Sequence, residues 1–131
     1  MTGLDTNVLT RYFAQDDAAQ SKIADAVIDS FTADKPGWIS QAVILELVWV
    51  FTSSFRANRS EVCQILDSLM SRDDLVLESS DTIDIALELY RRGKADFADC
   101  LIACSGRAAG CTKTLTFDQD AARTAGMTLV S

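Results

Sequence analysis

The sequence predicts an α/β domain with three layers, α/β/α, around a central, mostly parallel sheet of four to five strands. Short apolar runs alternate with longer segments in which apolar residues recur at the period of a helix, a pattern typical of parallel sheets flanked by helices. The chain has 131 residues, of which 48% are hydrophobic, so it can bury one sizeable core. It contains no repeat or low-complexity tract. We therefore expect one domain over residues 1–131.

The first half of the chain predicts two strands and three helices. Apolar positions from Ile23 to Phe31 recur every three or four residues, which indicates an amphipathic helix, and Pro36 and Gly37 follow its end. Ser40 is a suitable N-cap for the next segment, whose apolar residues predict a largely buried helix. The predicted elements are strand Thr2–Leu4, helix Asn7–Ala14, helix Asp17–Phe31, strand Trp38–Ile39 and helix Gln41–Phe55.

The second half predicts four helices and three strands. Ser60 can cap the first of these helices, whose apolar stripe runs from Val62 to Met70, and Arg92 with Gly93 is typical of a helix C-terminus. Gly110 ends the helix that carries the residues DFADCLIA. The other predicted elements are strand Leu75–Leu77, a helix from Ser80 or Asp81 to Arg92, a helix from Asp96 or Phe97 to Ala109, strand Thr112–Thr116, helix Gln119–Ala125 and strand Met127–Val130.

Composition restricts the chemistry available to this chain. Histidine is absent, which excludes Ser-His-Asp triads, Cys-His triads and histidine-based zinc hydrolases. The catalytic groups of any active site must therefore be carboxylates. The net charge of −7 disfavours nucleic acid unless divalent ions lie among the acids and local basic patches contact phosphate. The N-terminus resembles no signal peptide, and no apolar run approaches the ~20 residues that span a bilayer. We expect a soluble cytoplasmic protein with reduced, mostly buried cysteines.

Carboxylates follow or interrupt four of the apolar runs. Glu46 is the sharpest case, because every other residue from Val43 to Phe51 is apolar and no Lys or Arg lies three or four positions away. Burying such a charge unpaired costs roughly several kcal/mol. Asp5 and Asp99 have similarly apolar surroundings. A shared bound metal ion would compensate all three charges.

Parallel-sheet geometry predicts that these acids meet. In open parallel sheets the functional cleft lies beyond the carboxyl ends of the strands. Asp5 follows the first strand, Asp118 follows the fourth, and Asp96 and Asp99 lie on one face at the start of a helix, while the apolar surroundings of Glu46 argue for its inclusion. Repulsion of about 1–4 kcal/mol per close pair makes such a cluster improbable without a cation, and oxygen ligands select Mg²⁺ or Mn²⁺.

The expected chemistry is phosphodiester hydrolysis, since such ions acidify bound water and neutralise phosphate charge. Nearby small polar residues would orient the carboxylates or the water. The predicted catalytic residues are Asp5, Glu46, Asp99 and Asp118, with Asp96 as a further metal ligand and with Thr6, Asn7, Ser40 and Thr116 as the orienting groups. Each acid also has a simpler interpretation. Asp96 and Asp118 suit helix N-caps, Asp99 suits a first helical turn, and Asp5 suits a turn.

The four acid-bearing stretches resemble the PIN domain family of metal-dependent ribonucleases, in particular the VapC toxins of bacterial toxin–antitoxin modules. LDTNVLTRYF resembles the opening motif with Asp5, and ISQAVILELVWV resembles the helix that carries the second acid, Glu46. DFADCLIA resembles the third motif, with Asp99 in the family position and Asp96 as an added acid. TFDQDAAR resembles the fourth, on Asp118, with Asp120 as a possible substitute. The resemblance covers essentially the whole chain.

The resemblance implies a PIN-like fold, endoribonuclease activity on single-stranded RNA, a homodimer, and inhibition by a small cognate VapB-like antitoxin. The residues themselves offer a basic rim that would contact RNA phosphates. Its members are Arg11, Arg91, Arg92 and Lys94. The alternative for each of them is a scattered, solvated cation.

Two other functions fit an acidic α/β domain of this length. A phosphoacceptor signalling receiver carries an acidic pair that Asp16 and Asp17 superficially resemble, although this pair follows a helical segment and not a strand. A catalytically inactive PIN-fold binding module is the second alternative, and the four acids argue against it. Labelling by acetyl phosphate and turnover on RNA distinguish these alternatives from a nuclease.

Overall fold

The structure, a computed structural model, describes residues 1–130 and alternates short strands with helices along that stretch. The chain divides into two compact units, the first Met1–Glu78 and the second beginning at Ser79. The first unit contains β1 (Thr2–Gly3), α1 (Thr6–Ala14), α2 (Ala18–Asp29), β2 (Gly37–Ile39), α3 (Gln41–Ser53), α4 (Arg59–Met70) and β3 (Leu75–Leu77). The second contains α5 (Ser80–Arg92), α6 (Phe97–Ala108), β4 (Leu115–Thr116), α7 (Gln119–Ala125) and β5 (Thr128–Leu129).

All strand pairs among the described residues are parallel, which confirms the predicted α/β class. In the first unit the strand order is β1-β2-β3, and in the second β4 pairs with β5. The five strands therefore form a three-stranded and a two-stranded sheet, where the sequence predicted one sheet of four to five strands. Strands of two or three residues show too little alternation to identify their neighbours. The single domain over residues 1–131 stays a prediction.

The core of the first unit forms where helix stripes meet the three-stranded sheet. Leu9 of α1, Ile28 of α2 and Ile39 of β2 are fully buried, and each contributes about 1.5–3 kcal/mol through burial. Ile23 was predicted on the same face of α2 as Ile28, but it is 65% exposed. The buried face of α2 runs through Ser21, Ala24 and Ile28, and Ile23 lies one residue, or about 100°, away from it.

The core of the second unit lies largely between α5 and α6. The predicted apolar face of α5 is buried, and it includes Ile83, Leu87 and Tyr90. The ring of Tyr90 meets that of Phe97 edge to face, with centroids 5.7 Å apart, a favourable aromatic geometry. Because Phe97 is the first residue of α6, this contact fixes the start of the helix that carries Asp99.

Helix ends agree with the sequence to within a few residues. Ser40 caps α3 as predicted, since its side chain accepts a hydrogen bond from the Val43 amide at 3.1 Å. The predicted cap of α4 was wrong: Asn58, and not Ser60, accepts from the Glu61 amide, and the Glu61 carboxylate accepts from the Asn58 amide. This reciprocal pair is a capping box, which needs an acid three residues after the cap and therefore selects Asn58.

The state of the cysteines and the apolar character of the helices were also predicted from the sequence. Cys63, Cys100 and Cys104 are buried and Cys111 is exposed, and all four are free thiols, which agrees with the expected, mostly buried cysteines. Within residues 1–130, no helix has both the length and the apolar character that crossing a membrane requires.

A paired arginine and aspartate stabilise the turn before β3. The Arg72 guanidinium donates from Nε and Nη2 to the two oxygens of Asp74, both at 2.8 Å, and from Nη1 to the Tyr12 hydroxyl at 3.1 Å. These hydrogen bonds lower the pKa of Asp74 below its ordinary value of 3.8. The pair therefore stabilises the folded protein at pH values above 3.8. This stabilisation is lost as the pH falls through the lowered pKa of Asp74.

We expect Asp74→Asn to lower the free energy of unfolding by about 1–2 kcal/mol at pH 7, because it removes a charge-assisted bidentate contact. Denaturant unfolding at pH 7 and near pH 3 measures the effect, which should shrink at the lower pH. Asp73→Asn, at the exposed neighbouring acid, is the matched control and should change the stability little. An equal loss in both variants would contradict the role of the pair.

Candidate functional site

Asp5 lies between β1 and α1 and caps the helix. Its Oδ1 accepts a hydrogen bond from the Thr6 backbone amide at 2.8 Å, and its Oδ2 accepts a long one from the side-chain Nδ2 of Asn7 at 3.4 Å. The side chain is exposed. This geometry agrees with the interpretation of LDTN as a turn and with the predicted proximity of Asn7 to Asp5. Asp5 therefore presents a fixed carboxylate at the end of the strand.

Glu46 is held by a residue 40 positions away. The hydroxyl of Thr6, which is only 4% exposed, donates a hydrogen bond to Oε1 of Glu46 and so links α1 to α3. One carboxylate oxygen of Glu46 is thereby fixed next to the helix that Asp5 caps. The first unit thus brings together Asp5, Thr6 and Glu46, three residues that the sequence predicted for one site.

The predicted burial of Asp5 and Glu46 was wrong, because both residues are exposed. The core face of α3 consists of Ile44, Leu47, Val48 and Phe51, whereas Glu46 lies on the outer face with Trp49, which is 66% exposed. An apolar sequence around an acid therefore does not by itself bury the acid when the helix also exposes apolar residues. The desolvation argument for a metal does not apply to these two carboxylates.

The desolvation argument does apply to Asp99 of the second unit. It is partly buried in the first turn of α6, and its amide donates to Oδ1 of Asp96, the N-cap, at 2.8 Å. Burial raises the pKa of Asp99, and the negative charges of Asp96 and Asp118 raise it further. The structure therefore places Asp96 and Asp118 close enough to Asp99 for their charges to act on it.

Asp118 caps α7 immediately after β4. Its Oδ1 accepts hydrogen bonds from the amides of Asp120 at 2.8 Å and Ala121 at 3.2 Å, and its own amide donates to the Thr116 hydroxyl at 3.0 Å. Asp120 instead forms an exposed ion pair with Arg123. Of the two candidates for the fourth acid, Asp118 acts on the charge of Asp99, so the structure favours Asp118.

Most of the predicted RNA-binding cations have intramolecular partners. Arg11 forms an ion pair with Asp16 at 3.0 Å, while Arg91 and Arg92 approach the carboxylate of Glu88 at 3.5 and 2.7 Å. Lys94 is exposed. Ion pairs at such exposed positions are worth about 0–1 kcal/mol, so these arginines can exchange partners with a phosphate at little cost.

The acidic pair that suggested a signalling receiver has structural roles. Asp16 pairs with Arg11, and Asp17 caps α2 by accepting from the Gln20 amide at 3.0 Å. Neither carboxylate follows a strand, where a receiver carries its acids. The geometry therefore does not favour that alternative.

The clustered acids of the second unit supply the type of donor atom that hard divalent cations bind. Asp96, Asp99 and Asp118 supply only oxygen atoms, and a cation would relieve the repulsion that raises the pKa of Asp99. Among residues 1–130, no three His, Cys, Asp or Glu side chains are already arranged as a metal-binding group. Each unit therefore presents carboxylates of the right type without a complete set of ligands in place.

Comparisons with known proteins agree on one family. Residues 4–127 match the model of the PIN domain. The chain is also similar to the VapC ribonuclease of Aquifex aeolicus (strain VF5), with 20% identity over 114 residues that cover 87% of this chain and 84% of that protein. The PIN match includes every acid discussed above, from Asp5 to Asp118.

Proposed function

The chain belongs to the PIN domain family, and from that premise we propose that it is a metal-dependent endoribonuclease and the toxin of a toxin–antitoxin module. The observation that carries the proposal is the partly buried Asp99, whose pKa is raised by burial and by the charges of Asp96 and Asp118. Charge concentrated in this way attracts a cation, and perturbed carboxylates of this kind are typical of active sites. The similarity to a VapC ribonuclease supports RNA as the substrate.

The cofactor in this proposal is Mg²⁺ or Mn²⁺. Such an ion, when bound, acidifies water and neutralises charge on the phosphodiester, which lets a chain without histidine hydrolyse RNA. The proposed ligands are Asp5, Glu46, Asp96, Asp99 and Asp118. In this assignment Asp5, Glu46, Asp99 and Asp118 are the catalytic carboxylates, and Asp96 adds charge and positions the start of α6.

Backbone amides and hydroxyls prepare these carboxylates for their roles. Asp96 and Asp118 each use one oxygen to accept amide hydrogens at a helix N-terminus, which fixes the carboxylate while a second oxygen remains for a ligand. Asp5 accepts the Thr6 amide on Oδ1 in the same way, and its Oδ2 has only the long contact with Asn7. The Thr6 hydroxyl fixes Glu46 in the same way. We propose corresponding positioning roles for Asn7, Ser40 and Thr116, each of which contacts or lies next to a helix start.

Substrate binding in this proposal uses local cations, because the net charge of −7 repels RNA. Arg11, Arg91 and Arg92 would exchange their exposed ion pairs for phosphate oxygens, and Lys94 would contact phosphate directly. Arginine presents a planar fork that matches phosphate in two hydrogen bonds, which favours this exchange.

The proposed setting is the bacterial cytoplasm, where the protein forms a homodimer and a small VapB-like antitoxin holds it inactive. The support for the dimer and the antitoxin is the similarity to the VapC ribonuclease. Co-expression with the product of a small neighbouring reading frame should suppress growth arrest. Growth arrest that no neighbouring product relieves would contradict the antitoxin assignment.

Cleavage of RNA by the purified protein tests the activity itself. We expect cleavage of single-stranded RNA in Mg²⁺ or Mn²⁺, its loss in EDTA, and its return when Mn²⁺ is added in excess of the chelator, because only the ion is removed. Sequencing of RNA ends after brief induction in cells would identify the target. Undiminished cleavage in EDTA, or no cleavage of any RNA in Mn²⁺, would refute the proposed function.

A further inference from the structure

The extended segment that leads into Asp118 exposes the residues that a strand normally buries. Lys113 is exposed, Leu115 of β4 is 58% exposed and Phe117 is 83% exposed. The two residues between them, Thr114 and Thr116, are only partly exposed. Because side chains alternate along an extended chain, Lys113 and Leu115 lie on one face, and Phe117 follows at the bend directly after β4.

The contact of Thr114 shows which side of this segment faces the protein. A Cβ placed on Gly106 of α6 would lie 2.7 Å from Oγ1 of Thr114, so this threonine packs closely against the helix. Thr116 accepts a hydrogen bond from the Asp118 amide at 3.0 Å. A polar residue therefore faces α6 while Leu115 and Phe117 are exposed to solvent, the reverse of the usual pattern for a half-buried strand.

We propose that Lys113, Leu115 and Phe117, here called the outer strip, bind single-stranded RNA, with Phe117 stacking on a base beside the cleaved phosphodiester. Bases of single strands stack on exposed aromatic rings, and a nearby cation contacts the backbone phosphate. Phe117 immediately precedes Asp118, so their Cα atoms are about 3.8 Å apart. The inference rests on the proposed nuclease function and adds a residue that holds a base at the cleavage site.

The size and charge of the outer strip favour RNA over a protein partner. A specific protein interface buries about 800 Å² on each side, far more than three neighbouring side chains offer. Lys113 forms no ion pair among the described residues, so it is available to a phosphate. An exposed aromatic ring with a nearby cation is the combination that binds single-stranded nucleic acid through stacking and phosphate contact.

Binding of a short, fluorescently labelled single-stranded RNA tests the outer strip, with Ca²⁺ in place of Mg²⁺ to slow cleavage. We expect Phe117→Leu and Phe117→Ala to weaken binding about 10-fold or more, since both remove the stacking ring. Phe117→Trp should keep the affinity. Ile85→Ala is the matched control, because Ile85 is 61% exposed on α5 of the same unit.

The outcomes separate this inference from the proposed function. The rise in unfolding temperature on adding Mn²⁺ should be the same in Phe117→Leu as in the unmodified protein if the metal site is intact and only base contact is lost. RNA binding and cleavage equal to the unmodified protein in Phe117→Leu would overturn the inference while leaving the nuclease assignment standing. A Phe117→Ala variant that binds RNA normally but changes its sedimentation would identify a protein interface instead. Failure of the unmodified protein to bind any RNA would overturn both proposals.

Discussion

Replacing Asp99 with Asn should reduce RNA cleavage by more than about 100-fold while leaving the protein folded. Loss of a group that merely supports a metal ligand already costs about 10–100-fold in activity or metal affinity, and Asp99 is proposed to be a ligand itself. Asn retains the size of the side chain but supplies only one weaker acceptor oxygen. Steady-state cleavage of a single RNA in saturating Mn²⁺ measures the loss.

The same substitution should not destabilise the metal-free protein. Burial and the charges of Asp96 and Asp118 raise the pKa of Asp99, which means that the fold disfavours its charged form. Removing that charge relieves the repulsion, so thermal unfolding in EDTA should occur at the same temperature as in the unmodified protein or higher. Added Mn²⁺ should raise the unfolding temperature of the unmodified protein and raise that of the variant much less.

Asp84→Asn is the matched control for this experiment, since Asp84 is an exposed acid on α5 of the same unit. It should retain cleavage and keep the response of the unfolding temperature to Mn²⁺. Full activity in Asp99→Asn, or an equal loss in both variants, would contradict the assignment of Asp99. A large fall in the unfolding temperature of Asp99→Asn in EDTA would instead identify Asp99 as a residue that the fold requires.

Sequence reasoning succeeded where the deciding interactions are local. The start of α6 at Asp96 or Phe97 depends on the Asp96 side chain, which accepts a hydrogen bond from the backbone amide three residues later. Ser40 caps α3 in the same way. The apolar face of α5 follows from the period of the helix. In each case the partners lie within one or two turns of one another, so their spacing in the sequence is also their spacing in the structure.

The failures involve partners that are distant in sequence or strands that are very short. Nothing in the segments around Thr6 and Glu46 shows that a hydroxyl and a carboxylate 40 positions apart form a hydrogen bond. The exposure of Glu46 was missed because α3 carries apolar residues on its outer face as well, including Trp49. The exposure of Phe117 was not predicted, because a large aromatic side chain is usually mostly buried.

Glu46→Gln should also reduce cleavage by more than about 100-fold, and Thr6→Val should reduce it by about 10–100-fold. Gln retains the length of Glu46 but removes its charge. Val retains the shape of Thr6 but removes the hydroxyl that donates to Oε1 of Glu46. Thr6 is thus a positioning residue that acts through Glu46. Thr6→Ser keeps the hydroxyl and should restore most of the activity.

A double-mutant cycle separates this positioning role from a general effect on the fold. If Thr6 acts only by holding Glu46, then the combined Thr6→Val and Glu46→Gln variant should be no slower than Glu46→Gln alone, because the group that Thr6 positions is already inactive. Two independent contributions would instead multiply. The affinity for Mn²⁺, measured by the shift in unfolding temperature, should fall in Thr6→Val and recover in Thr6→Ser. A Thr6→Val variant that loses activity with an unchanged Mn²⁺ response would show that the hydroxyl does not act through a metal-binding carboxylate.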